Sequence, residues 1–415
     1  VKVVFLSPVG QVGGAERVLL TLLDAWRASG QRIEPGVLAL SDGPLLAELR
    51  NRKVLCAVEP MPDRLAKLGD SGGGLLATMA SGLLSYPALR SFAAKLRQRL
   101  KEFAPDIIHA NGLKAHLLAS MAAPTSCKVA WHLHDFVGSR RLAPFLLGRV
   151  AGQAAGAVAV SDAVAVDFLR AVPRVPVSVI PNAVDTARFC PGAGNGAWLD
   201  GLAGMAEAPA GTVRVGLVAT YALWKGHDLF IRAAARARAS GPVRFFIIGG
   251  PIYATGAQRS RDELMRLSRQ CRVDVAFVPM LGEMPEVYRA LDVVVHASTS
   301  PEPFGLVIAE AMACGRAVVA AAAGGARDLF QDGEDALGYP MGDEAALASA
   351  LERLIESRPL RENLGTAAAL SARQRFDPAR QARDIADWYK AIMESSGTVQ
   401  DRAGLRRSRP GCIPG

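Results

Sequence analysis

The densest run of chemically useful residues is Pro301-Glu302-Pro303-Phe304-Gly305-Leu306-Val307-Ile308-Ala309-Glu310-Ala311-Met312-Ala313-Cys314-Gly315. It follows a short apolar strand, Val293–His296, and the triplet Ser298-Thr299-Ser300. Pro303 suits the start of a helix, where a missing N–H is no loss. Gly305 lets a ligand come close to the backbone, and the unpaired N–H groups of a helix start attract phosphate. Glu302 stands just before this helix. Glu310 lies about five residues inside it, roughly 7–8 Å along the axis from Gly305 at about 1.5 Å per residue. Two carboxylates bracketing an anion site can serve a nucleotide-sugar, one accepting from the ribose and the other from the sugar. The same acids can also be a capping acid and a solvated helix acid. Against that, the helix is otherwise small and apolar, and a buried carboxylate needs partners.

Other candidates stand at the ends of strands. Lys225 follows the strand Val213–Ala219 and precedes a helix starting near His227, so it can meet a phosphate or be an exposed loop lysine. Trp131-His132-Leu133-His134-Asp135 ends another strand. A neutral imidazole there can donate to a hydroxyl or be satisfied by nearby backbone. Strand alternation puts His132 and His134 on one side, so His132 can be the inward one. His109 and Asn111 follow the strand Asp106–His109. Gly249-Gly250-Pro251-Ile252-Tyr253 and Met280-Leu281-Gly282 can reach a nucleobase or be plain turns. The chain has no Asp-x-Asp element, nucleophile elbow or Walker loop, which fits chemistry without a metal or other cofactor.

With these residues in view, the sequence resembles the retaining glycosyltransferases of family 4, which have the GT-B fold. Glu302 and Glu310 reproduce that family's Glu-x7-Glu element, and the likeness covers nearly the whole chain. Gly13-Gly14-Ala15-Glu16 resembles the N-terminal loop, Ile180-Pro181-Asn182-Ala183-Val184-Asp185 the interdomain junction, and Trp224-Lys225-Gly226 the donor-phosphate lysine segment. The resemblance implies that Glu310 binds the ribose hydroxyls and Glu302 the donor sugar. The backbone of Phe304, Gly305 and Leu306 would line sugar and diphosphate, Lys225 would neutralise the diphosphate, and His134 would face the donor sugar. Glu302, His134 and Lys225 are thus the expected catalytic residues. Gly13, Gly14, Thr220, Tyr253 and Leu281 join the donor-binding set, and His109 and Asn111 the acceptor side. Two departures stand out. Thr220 occupies a position where the family usually has an arginine, which Arg259, Arg261 or an arginine of the first half would have to replace. Asp328 stands where the family usually has glutamate.

The elements that must position these residues alternate between strand and helix. In the first half strands are expected at Val1–Leu6, Val37–Leu40, Asp106–His109, Lys128–His132, Ala157–Val160 and Val177–Ile180, with an amphipathic helix from about Gly14 to Ser29. In the second they fall at Val213–Ala219, Val243–Ile248, Val273–Val278, Val293–His296 and Ala317–Ala320. Short apolar runs separated by helical periodicity indicate parallel sheets. A glycine- and proline-rich stretch over 191–212 reads as a linker or extended loop. The expected architecture is α/β, GT-B, with two Rossmann-like doubly wound domains facing a central cleft. Residues 1–190 form the acceptor-side domain and 213–375 the nucleotide-sugar domain. A helix over 378–394 crosses back, and 397–415 forms a disordered tail.

Composition agrees with two folded domains. The chain has 415 residues, half of them hydrophobic and 21% charged, which excludes a disordered protein. Arginine outnumbers lysine 39 to 9, a bias typical of a GC-rich bacterial genome. Cys56, Cys127, Cys190, Cys271, Cys314 and Cys412 show no metal-ligand spacing and read as reduced thiols of a cytoplasmic protein. The opening apolar run is too short for a signal peptide, and no stretch spans a membrane. Residues 1–190 carry 22 basic and 14 acidic residues, so nearly all of the net +9 lies there. The basic segment Ser91–Phe103, with Phe92, Leu96, Leu100 and Phe103 on one face, can rest on an anionic leaflet or pack on the sheet.

These observations lead to an expected activity. It is retaining, metal-independent transfer of a sugar from an NDP-sugar to a hydroxyl of a glycan or lipid-linked acceptor, in bacterial cell-surface polysaccharide or glycolipid synthesis. The protein would be cytoplasmic, with peripheral contact to the inner membrane face and no nucleic-acid partner. The alternatives are a non-catalytic sugar-nucleotide-binding partner of another transferase, and an epimerase or hydrolase of the same architecture. The first is favoured only by the missing arginine. The second needs a water-activating carboxylate for which no distinct candidate exists. A dehydrogenase lacks its G-x-G-x-x-G after the first strand.

Overall fold

The computed structural model describes residues 1–66, 75–140, 142–251 and 257–394. Tyr253, Cys412 and the expected tail 397–415 lie outside the described residues.

The first seven strands are β1 (Lys2–Ser7), β2 (Glu34–Ala39), β3 (Leu55–Val58), β4 (Ile107–Asn111), β5 (Lys128–Leu133), β6 (Ala154–Ala159) and β7 (Val177–Val179). The next six are β8 (Val213–Val218), β9 (Val243–Ile248), β10 (Val275–Val278), β11 (Val293–His296), β12 (Ala317–Ala321) and β13 (Leu337–Tyr339). They form two all-parallel sheets, ordered β3-β2-β1-β4-β5-β6-β7 and β10-β9-β8-β11-β12-β13. Helices cover both faces of a parallel sheet, so its central strands are apolar throughout rather than alternating. Val293, Val294 and Val295 of β11 are all fully buried. Strand order reverses between β1 and β4 and again between β8 and β11. Such reversals open a crevice at the carboxyl ends of the two flanking strands.

The chain divides into two compact units, residues 1–180 with 381 onward, and residues 181–380. The first boundary therefore precedes the expected one at 190. The supposed linker 191–212 belongs to the second unit and holds a helix, Gly196–Leu202, started by the Asn195 side chain. Asp200 of that helix is buried between Arg214 and Arg244, at 2.6 and 2.7 Å. Their hydrogen bonds and charges overcome its burial and hold its carboxyl below the usual range. This pairing fastens a glycine-rich stretch that composition alone reads as loose.

The last helix, Pro378–Glu394, packs in the first unit from Gln381 onward. Trp26 Nε1 donates to the Ala382 carbonyl at 3.0 Å, and Ile385, Tyr389 and Ile392 join the core around Phe5 and Trp26.

The basic segment 91–103 ends a helix running from Leu75 to Phe103. Phe92, Leu96 and Leu100 are buried, so the apolar stripe faces the protein and is not available to a leaflet. Lys95 and Arg99 pair with the buried Glu59, while Arg97 donates to the carbonyls of Met121 and Ala122. The expectation that this helix lies on a membrane is corrected accordingly. Among the described residues no helix is long and apolar enough to cross a membrane.

Candidate functional site

In the second unit the reversal of strand order brings two sequence-distant loops together. The loop after β8 turns through Leu223–Lys225 into the helix His227–Arg236, and the loop after the neighbouring β11 runs through 297–305. Thr299 N donates to the Trp224 carbonyl at 2.8 Å, closing one loop on the other. Gly226 has φ +71°, and a Cβ there would sit 1.8 Å from the Ala297 carbonyl oxygen. Only glycine permits this approach, which sets Lys225 beside Glu302 across 77 residues of chain.

Glu302 is the centre of the cluster. Lys225 Nζ donates to its Oε1 at 2.6 Å, Ser298 Oγ donates to the same oxygen, and His296 Nε2 lies 3.7 Å from it. Its other oxygen accepts from no described residue. Burial by itself would raise this carboxyl; His296 and Lys225 overcome that and hold it far below the usual carboxylate range. The backbone is fixed as well, since Gly325 N donates to the Glu302 carbonyl at 2.7 Å. Gly324, at φ +62°, lies so close that a Cβ would be 2.5 Å from that carbonyl oxygen. Glu302 is thus an ionised acceptor with Oε1 committed to the protein.

The helix after it spans Leu306–Ala313, with Gly305 at its start and no capping side chain. It begins three residues later than Pro303 implies, because Gly305 takes a left-handed conformation that breaks the turn. Phe304 is buried against Phe376 and anchors the loop from behind, while Leu306 stays half-buried at the first turn. The first-turn amides of a helix have no acceptor within it. Here the amides of Ile308 and Ala309 turn back to the Gly305 carbonyl, and those of Leu306 and Val307, four and five residues past Glu302, are the ones suited to an anion. Glu310 sits in the second turn and accepts from the buried Tyr288 hydroxyl at 2.6 Å.

Of the remaining expected donor residues, Thr220 and Leu281 are half-buried just past β8 and β10. Arg259 is paired with Asp228 at the start of the helix His227–Arg236, and Arg261 lies over the Phe277 ring. Asp328 lies in the turn Gly325–Leu329, where its carbonyl accepts from Arg375. His296, Ser298 and Tyr288 were not singled out from sequence. The signal for the first two was present, a polar pair directly between strand and Glu302. Tyr288 gave none.

In the first unit Gly13 and Gly14 open the helix Gly14–Ser29, and the Gly13 amide donates to the buried Glu16 carboxylate at 3.1 Å. The expected histidines form one network. Tyr389 Oη lies 2.7 Å from His109 Nδ1, and His109 Nε2 lies 3.0 Å from His132 Nδ1. His116 Nε2 lies 2.9 Å from the His132 carbonyl, and its ring stacks on Trp131. His134 is half-buried just beyond β5, with Nε2 2.5 Å from Asn111 Oδ1 and its ring 4.0 Å from that of His132. His109 is fully buried and held at both nitrogens, so it does not line an acceptor surface. His132 is likewise in the core. β5 ends at Leu133, so His134 leaves the sheet and becomes the accessible member of the pair. Asn111 is buried, with its Oδ1 against His134 and no described partner on its Nδ2.

These histidines give the first unit a pH dependence. Burial pushes His109 down to about 3 and His116 down to about 4 from an ordinary 6.5. The unfolded chain therefore takes up protons near pH 6.5 that the folded unit refuses. Stability is fully present above pH 6.5 and is lost as pH falls toward 4. Each of the two fully buried rings contributes a loss of about 1.4 kcal/mol per pH unit in that window. Urea melts followed by tryptophan fluorescence should show midpoints falling from pH 6.5 to 4.5, with a shallower slope in His116→Gln. A midpoint independent of pH would contradict the burial of these rings as neutral groups.

Residues 12–188 match the family Glycosyltransferase Family 4, and residues 207–371 match Glycosyl transferases group 1. A D-inositol 3-phosphate glycosyltransferase of Stackebrandtia nassauensis is 36% identical over 258 residues, covering 60% of this chain and 54% of that protein. One of Salinispora tropica is 34% identical over 242 residues, covering 56% and 49%. The chain thus spans about half the length of these relatives. Among solved structures, Anabaena HepE in complex with UDP-glucose superposes with a TM-score of 0.77 at 26% identity, covering 94% of this chain and 99% of that one. A Rickettsia africae glycosyltransferase superposes at 0.76 with 18% identity, covering 95% and 99%, a likeness of fold.

Proposed function

The chain belongs to the family 4 glycosyltransferases of GT-B fold, and from that premise we propose that it transfers a sugar from a nucleotide diphosphate-sugar to a hydroxyl acceptor. The observation that carries this reading is the Lys225–Glu302 pair just before an uncapped helix start, with Glu310 in the second turn of that helix. Lys225 and the helix amides stabilise the departing diphosphate, an electrostatic arrangement already in place before charge develops. Glu302 accepts from the sugar, and Glu310, oriented by Tyr288, from the ribose. UDP is the first nucleotide to try, since HepE has been solved with UDP and with UDP-glucose.

Transfer is proposed to retain anomeric configuration, with the acceptor attacking the face that the nucleotide leaves; no protein nucleophile is assigned. It is also proposed to need no metal. Among the described residues no three His, Cys, Asp or Glu side chains cluster as ligands, and Lys225 with the helix start takes the place of a cation. The first unit is read as the acceptor-binding one. Its acceptor is a glycan or lipid-linked hydroxyl of cell-surface synthesis, made on the cytoplasmic side. A small anionic polyol is the second reading. The relatives act on D-inositol 3-phosphate, and the basic surplus of residues 1–190 suits such a substrate. Any attraction to an anionic membrane rests on that charge alone, because the stripe Phe92, Leu96 and Leu100 is buried.

A transfer assay with UDP-glucose and a panel of glycan, lipid-linked and inositol phosphate acceptors tests the reading. The expected product has the donor's α-configuration by proton NMR, and its rate of formation is unchanged in EDTA. Loss of transfer in EDTA with recovery on adding magnesium or manganese would overturn metal independence. A β-linked product would overturn retention.

A further inference from the structure

The cluster around Glu302 is built asymmetrically. Lys225, Ser298 and His296 all converge on Oε1, and none reaches Oε2. The Lys225–Glu302 pair is partly shielded, with side-chain exposures of 25% and 11%. His296 is 6% exposed and has no hydrogen-bond partner on either ring nitrogen among the described residues. Two of the three groups on Oε1 therefore come from one short segment, His296 and Ser298, which leads into Glu302 itself. The third comes from a different loop and is the only one assigned to phosphate.

We infer that the Lys225–Glu302 pair is a latch, in which the diphosphate must draw the ammonium from the carboxylate while Ser298 and His296 keep the carboxylate in place. This rests on the donor-site reading above and adds an order to it. A nucleotide diphosphate gains Lys225 only by competing with Glu302. Once the lysine has turned to phosphate, Glu302 regains a full charge, and its free oxygen is aimed at a sugar hydroxyl. An intact donor compensates Glu302 with that hydroxyl; a bare nucleotide diphosphate does not. The latch thereby favours donor over product at a single carboxylate. His296 is a positioning residue here, closing on Oε1 as the lysine departs.

The latch gives Glu302 an unusual signature, since removing it should improve binding of one ligand while damaging use of another. Calorimetric titration with UDP tests this on wild type, Glu302→Gln, Lys225→Ala and the double variant. Glu302→Ala serves as a second form in case glutamine distorts the loop. We expect the loss of Glu302 to tighten UDP binding roughly fivefold while raising KM for UDP-glucose, and we expect the gain to vanish in the Lys225→Ala background. His296→Gln should raise KM for UDP-glucose several-fold at unchanged kcat and unchanged UDP affinity.

The outcomes separate cleanly. An equal gain with and without Lys225 would mean simple repulsion between carboxylate and diphosphate, and the latch is wrong. No gain at all would also overturn it, leaving the donor site intact as long as Lys225→Ala weakens UDP. An unchanged KM in His296→Gln would remove His296 from the device. A wild-type protein that binds neither UDP nor any other nucleotide diphosphate would bring down the donor reading itself, and the latch with it.

Discussion

Lys225→Ala is expected to lower kcat/KM for the donor by about 10²- to 10³-fold, the usual cost of deleting one fixed donor that meets developing charge. The lysine is the one cation hydrogen-bonded to Glu302 at the helix start among the described residues. Arg259, a candidate to replace the missing arginine, is tied to Asp228. Folding should survive, because Ser298 still donates to Glu302 and the loop is held by Gly226 and by the Thr299–Trp224 backbone bond. The melting temperature and steady-state kinetics should therefore part company. A variant that keeps wild-type kcat/KM would show that another group neutralises the diphosphate, and Arg259 would be the first to test.

Glu310→Ala should weaken binding of the nucleotide diphosphate about 10- to 100-fold, as expected for losing a hydrogen bond to a charged acceptor. The effect should fall on nucleotide and nucleotide-sugar alike, since the contact is to the ribose. Tyr288→Phe should reproduce a smaller part of it, because the hydroxyl only orients the carboxylate. Calorimetry checks both. Unchanged nucleotide affinity in a folded Glu310→Ala protein would remove Glu310 from the site, whereas a loss confined to the nucleotide-sugar would move it to the sugar.

Much of this arrangement was legible in the chain. The strands Val243–Ile248 and Val293–His296 and the helix Gly14–Ser29 have the expected bounds, because β-branched runs and a regular apolar face leave little choice. β3 and β13 were missed. Both are short edge strands, β3 with an exposed Leu55 and β13 only three residues long, so neither gives an apolar run long enough to read. The Glu302–Glu310 spacing was readable since both lie on one segment. Their partners were not. Tyr288 reaches Glu310 from 22 residues away, and Lys225 meets Glu302 only through the pairing of β8 with β11.

The errors have the same origin. An apolar stripe such as Phe92, Leu96 and Leu100 looks identical whether it faces a core or a leaflet. What decides here is Glu59, a buried acid on a distant segment that takes Lys95 and Arg99. Likewise the composition of 191–212 gave no hint of the Asp200 pairing with Arg214 and Arg244. His132 and His134 were interchangeable until the end of β5 at Leu133 was known.

The central claim is that the second unit holds a nucleotide-sugar donor at Lys225, Glu302 and Glu310. Thermal shift with UDP, GDP and ADP and their glucose conjugates, run on wild type beside Glu310→Ala, tests it most directly. A ligand that binds only the folded state at 100 times its Kd adds about 2.7 kcal/mol. One nucleotide family should raise the wild-type melting temperature, and the roughly 10- to 100-fold weaker binding of the variant should cut the added stability to about 0.4–1.4 kcal/mol, so that its shift is half the wild-type one or less. No shift with any nucleotide, or the same shift in both proteins, would contradict the account.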